Sequence, residues 1–147
     1  MSVQWTPTLF DKNDRRHTDF RLLAKTEPDT LFVFNDNEEE FPCGTRPGGG
    51  NACVRPLRGL DPPRAAGIPT GSRGRGYAAL TPHVKHIIDS AFVIIDSLIA
   101  TGRYVRVRYS CADNDPFALG TSIFRVSAPV SAYIREHIHK RSTTDVK

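Results

Sequence analysis

Leu31-Phe32-Val33-Phe34-Asn35-Asp36-Asn37 is the stretch on which the fold class turns. Its first four residues include no polar member. An unbroken apolar run of that length suits a central strand covered on both faces, the usual state of a strand in an α/β sheet. Upstream, residues 20–24 form a second branched and aromatic run. Glu27, Pro28 and Asp29 separate the two, so the order reads strand, turn, strand. Residues 1–19 mix aromatic and charged side chains without a period and read as an N-terminal arm or a short edge strand.

Downstream, residues 35–63 change character: Asn-Asp-Asn, three glutamates, Pro47-Gly48-Gly49-Gly50-Asn51, then arginines and prolines. This is mostly loop, with room for one helical turn after Gly50. Residues 64–68 read as a short buried strand, and residues 71–76 as a flexible basic segment. The clearest helix begins after Thr81, an N-cap type, with Pro82 at the first helical position, and ends at Gly102. Val84, Ile87, Ile88, Ala91, Phe92, Ile95, Leu98 and Ile99 recur along it at helical spacing, a stripe that packs on a sheet. Residues 104–109 alternate as a strand, with Val105, Val107 and Tyr109 on one face and Tyr104, Arg106 and Arg108 on a wetter one. After a loop over residues 110–122, Pro129 opens a last helix with Val130, Tyr133, Ile134 and Ile138 on one face. The chain thus divides into an arm at 1–19, a single domain at 20–139 and a polar tail at 140–147. The fold class is α/β, a layered mixed sheet with flanking helices.

At 147 residues, one domain buries roughly 68–70% of its unfolded surface and needs no disulfide or metal to stand. The apolar stretch at 91–100 is broken by Asp96 and Ser97, so no membrane span is expected. Residues 1–10 carry no basic-then-apolar leader, which gives a cytoplasmic expectation, in a host cell or virion if the source is viral. Cys43, Cys53 and Cys111 are odd in number and form no Cys-x-x-Cys pair, so free thiols are expected; a Cys43–Cys53 bridge is the alternative. A net charge of +4 and a pI near 9.2 favour encounters with an anionic nucleotide, RNA or an acidic protein.

Loops beyond the carboxyl ends of strands commonly make the ligand crevice of such a sheet. Asn35, Asp36 and Asn37 follow the apolar strand, where short polar side chains read a base edge or ribose hydroxyls; Asx residues also simply cap strands and make turns. Asp36 is the first choice as reader. Gly48, Gly49 and Gly50, followed by Asn51, let the backbone approach a phosphate, or make a mobile loop. Gly120, Thr121 and Ser122 offer a second small-residue turn for a phosphate, or a helix cap. His83 with His86, and His137 with His139, lack a partner motif and read as surface histidines rather than metal ligands. Arg73, Arg75, Arg106 and Arg108, with Tyr77 and Tyr104, form either a base-stacking basic face or solvated charge. No residue is singled out as catalytic, and no metal or cofactor is implied.

The strings Asp29 to Asn37, Ala66-Gly67-Ile68-Pro69-Thr70 and Leu119-Gly120-Thr121-Ser122 resemble a microbial and viral family whose wording is Phe-Val-Phe-Gly-Asp-Asn, Gly-Ile-Pro-Thr-Lys and Gly-Thr-Gly. More distantly, the layout is similar to macrodomains, whose ADP-ribose site joins an Asn-rich strand end, a glycine-rich loop and a later phosphate loop. The resemblance covers residues 29–139 and implies a macrodomain-like module binding ADP-ribose or a related nucleotide, with ADP-ribosyl hydrolysis as an extension. By it, Asp36 faces adenine or ribose, Asn37 and Asn51 the distal ribose, and the glycine loops the diphosphate. Asn35 stands where the family has glycine, Gly71 where it has lysine, and Ser122 where it has glycine, so all three loops depart from the pattern. The alternative is a non-enzymatic accessory or structural protein of a virus particle or ribonucleoprotein, with RNA or protein partners.

Overall fold

The computed structural model describes residues 3–8, 24–48, 50–112, 115–119 and 126–144. In chain order the elements are β1 (Gln4–Thr8), β2 (Thr30–Asn37), a 3-10 segment (Gly50–Gly59), β3 (Ala65–Ser72), β4 (Arg75–Gly76), α1 (Pro82–Ala100), β5 (Arg106–Ala112), β6 (Asp115–Leu119) and α2 (Ala128–Thr144). The strands form a mixed sheet ordered β1-β5-β2-β3-β4, with β6 antiparallel on β5. β1, β5, β2 and β3 run parallel, and β2 holds the centre, flanked by β5 and β3. The layered α/β class expected from the sequence is the one observed.

Alternation along β2 sends its apolar side chains to two separate layers. Leu31 and Val33 join the larger core with Ile88, Phe92 and Ile95 of α1 and Val130, Ile134 and Ile138 of α2. Phe32 and Phe34 face the other way and pack with Ala52, Cys53 and Val54 of the 3-10 segment. All four are fully buried, which is why that run tolerates no polar residue. α1 starts where its cap directs: the Thr81 hydroxyl accepts the Val84 N–H at 3.1 Å, and Pro82 opens the helix.

Several local expectations change. Residue 24, assigned to a strand over 20–24, lies in a helical turn over 24–26; residues 20–23 are outside the described set. The basic segment forms a hairpin between β3 and β4, in which Arg73 and Gly74 adopt φ of 53° and 77°, both left-handed, as a two-residue turn between twisted strands requires. β6 occupies part of the expected loop over 110–122, and α2 continues through Thr144 into the expected tail. Tyr104 precedes β5 and is buried, donating its hydroxyl to the Pro63 carbonyl, whereas Val105 is exposed. None of the three cysteines is joined in a disulfide. Among the described residues, no helix is long and apolar enough to cross a membrane.

Candidate functional site

The chain leaves β2 for β3 on one flank, then returns through α1 to β5 on the other flank of β2. The strand order therefore reverses between β2 and β5, and in open α/β sheets the ligand crevice lies outside the carboxyl ends of strands at such a reversal. Asn35, Asp36 and Asn37 sit at the carboxyl end of β2, beside that reversal.

Asp36 does not point into open space. It is fully buried, and both of its oxygens are taken: Oδ1 accepts from Arg55 Nε at 3.0 Å and from the Asn37 backbone N–H at 2.8 Å, and Oδ2 accepts from Arg58 Nη1 at 2.7 Å. The arginines are buried in turn and tied to backbone carbonyls. Arg55 donates to Arg46, and Arg58 donates to Gly44 and Glu40. Both guanidinium groups lie over the Phe34 ring, at 5.6 and 5.4 Å from its centroid. One carboxylate thus fastens the 3-10 segment and the 40–46 loop to the end of β2. Neither arginine was singled out from sequence. Their spacing of three places both on one side of a short helix, a signal that only the buried aspartate makes legible.

Gly48 belongs to the same assembly. A Cβ there would stand 2.8 Å from the Ala52 Cβ and 2.9 Å from Arg55 Nη1, so close packing over the arginine requires glycine at this position. Gly50 and Asn51 open the 3-10 segment. Gly49, Gly120, Thr121 and Ser122 lie outside the described residues.

Asn37 remains at the rim, partly exposed, immediately after a register shift between Asp36 and Asn37; such bulges re-aim side chains. Its neighbours extend the polar rim. Glu38 Oε1 accepts the Tyr77 hydroxyl at 2.7 Å and lies 3.2 Å from His83 Nε2. Burial, and then the Glu38 carboxylate, push the Tyr77 phenol far above its ordinary range. It is a donor at any physiological pH. At the carboxyl end of β3, the fully buried Thr70 hydroxyl has no hydrogen-bond partner among the described residues, an uncommon state for a buried polar group.

Of the four arginines expected on a basic face, Arg73 and Arg75 are exposed on the β3–β4 hairpin, whereas Arg106 and Arg108 are engaged elsewhere. Arg108 grips Glu27 through two bonds of 2.8 and 2.7 Å, and Arg106 reaches the same carboxylate at 3.1 Å. His83 is exposed as expected, but His137 is not: it is largely covered, stacked on Phe92 at 4.4 Å. No family model, curated protein or solved structure matches this chain.

Proposed function

We propose that this chain is a nucleotide-binding module that seats ADP-ribose or a related nucleotide in the crevice beyond the carboxyl ends of β2 and β5. The observation that carries the reading is the reversal of strand order beside β2, which puts Asn35–Asn37 at the topological position where such sheets bind ligands. The macrodomain-like resemblance supplies the ligand class. In this reading Asp36 positions rather than touches: it fastens the loop and arginines that shape the wall, and Asn37 with the Glu38–Tyr77 pair meets the ligand. Hydrolysis of an ADP-ribose linkage is an extension of the same proposal. The assembly-protein alternative, which rests on the basic balance and the irregular Arg/Pro/Gly segments, expects an exposed Arg106–Arg108 face, and the pairing of both with Glu27 favours the nucleotide reading over it.

The test is calorimetric titration of the full chain with ADP-ribose at moderate salt, with ADP and AMP as comparisons. Micromolar, ADP-ribose-selective binding that weakens about tenfold or more in Asn37→Ala, the loss of roughly 1.4 kcal/mol, is the expected result. No heat of binding from a sample with a cooperative thermal transition would overturn the proposal. Asp36→Ala is the wrong probe, because its buried arginine partners make it a stability variant.

A further inference from the structure

A cavity lies on the flank of β2 away from β5, against the first residues of β3. It encloses about 220 Å³. Ala65, Ala66 and Gly67 line it from β3, Ile94 and Leu98 from α1, and Phe41, Pro42 and Cys43 from the loop after β2. The strand residues are buried, whereas Cys43 is exposed and Ile94 is 36% exposed. The strand is therefore the floor, and Cys43 and Ile94 stand at the mouth.

Three observations define what fits. The volume falls between the roughly 150 Å³ that holds one benzene ring and the roughly 300 Å³ at which pockets for drug-sized ligands begin, so it takes one or two fused rings. Among the described residues the one charged side chain lining it, Arg58, is already committed through all three of its nitrogens, to Asp36, Gly44 and Glu40. No charge is left to neutralise an anion, and an apolar wall disfavours bringing one in. Finally, Phe32 N–H bonds the Arg64 carbonyl, so alternation turns the peptide groups of Ala65 and Gly67 away from β2, toward the cavity. Those groups suit a ring carrying a single N–H or carbonyl.

We infer that this cavity is a binding site for one small, neutral, aromatic molecule of fused-ring size with one hydrogen-bonding group, separate from the crevice at the strand ends. Gly67 also underlies the Asp36 carboxylate, so an occupant rests against the arginine clamp that shapes the crevice wall.

The probe is indole, titrated into the full chain and followed by amide chemical shifts. Saturable, single-site binding with shifts centred on Ala65, Gly67 and Ile94 is expected. It should disappear in Ile94→Trp, a partly exposed helix position where the larger ring closes the mouth without disturbing the thermal transition. Leu98→Ala, which enlarges the same cavity, should admit naphthalene, a probe too large for the wild type. Absence of saturable binding in the wild type, unchanged binding in Ile94→Trp, or benzoate binding more tightly than indole would each overturn the inference. Binding of N-acetyl-tryptophanamide without binding of indole would assign the cavity to a protein side chain and overturn it equally. ADP-ribose titration reads the crevice independently, so failure of one proposal leaves the other standing.

Discussion

Gly67 is a glycine because of its neighbour. A Cβ at this position would stand 2.4 Å from Asp36 Oδ2 and 2.7 Å from its Cγ, so the carboxylate occupies the space that any other residue would need. The Gly67→Ala variant must therefore push Asp36 off its arginines or bend β3. Overpacking of this kind costs roughly 1–3 kcal/mol. Asp36→Asn keeps the shape but removes the charge, leaving Arg55 and Arg58 buried without a counter-ion. Breaking a buried pair by deleting one partner costs about 3–5 kcal/mol, so Asp36→Asn should lower the urea midpoint further than Gly67→Ala, with both slopes near that of the wild type. A wild-type midpoint in Asp36→Asn would show that the clamp contributes nothing to stability. The sequence displayed both residues, in Asn35-Asp36-Asn37 and Gly67-Ile68-Pro69-Thr70, as parts of a ligand pattern. Their contact was not legible, because it depends on the parallel register that sets Asp36 against Pro69.

α1 and α2 meet across a polar seam at the surface of the larger core. The Tyr133 hydroxyl donates to Asp89, whose carboxylate pushes the phenol up to about 12. His137 Nε2 lies 3.2 Å from the same Asp89 oxygen, its Nδ1 faces Arg141 Nη1 at 3.2 Å, and Arg141 closes the seam with two bonds to Asp96 of α1, at 2.9 and 2.7 Å. Burial, then the Arg141 charge, lowers the His137 pKa against the opposing pull of Asp89, with Lys140 adding to the depression. The unfolded chain then takes up this proton first, near the ordinary 6.5, so stability falls as pH drops through that value. His137→Phe, which keeps the stack on Phe92, should flatten the dependence of the urea midpoint on pH between about 7.5 and 5; an unaltered slope would remove His137 from this role. The seam shows which signals sequence carries. The stripe from Val84 to Ile99, the Thr81 cap and the alternation after Gly102 follow short-range periods, and α1 and β5 were readable from them. The 3-10 segment was legible only as one helical turn after Gly50, β6 pairs with the adjacent β5 in a stretch that read as loop, and the burial of His137 depends on Asp89 and Phe92, far back along the chain, for which no local period exists.

Glu27 gathers those distant parts into one body. It stands in the turn before β2, yet it pairs with Arg106 and Arg108 of β5, and Arg108 reaches on to the Thr8 hydroxyl of β1. Beside it, Arg64 donates to the carbonyls of Ala24, Glu27 and Thr30, so the same turn is also fastened to the entry of β3. The sequence suggested a basic surface here; the fold converts it into a tie across the sheet. The Arg108 hydrogen bonds outweigh the opposing effect of burial and, helped by Thr30 and Arg106, hold the Glu27 carboxyl at about 2 instead of 4.5. A carboxylate depressed in the folded state contributes stability that is fully present above 4.5 and is lost as pH falls toward 2, because the unfolded chain protonates first. The wild type should therefore lose stability steeply across that interval, and Glu27→Gln should be less stable at neutral pH with a shallower acid slope. Glu39 and Glu40, also held below the ordinary carboxylate range, add to the slope in the same direction. Thermal unfolding from pH 6 down to pH 2 reads both quantities. If Glu27→Gln matched the wild-type curve throughout, the tie would be a surface contact of no consequence, and β1, β5 and the turn before β2 would be held together by the backbone ladders, Arg64 and the apolar layers.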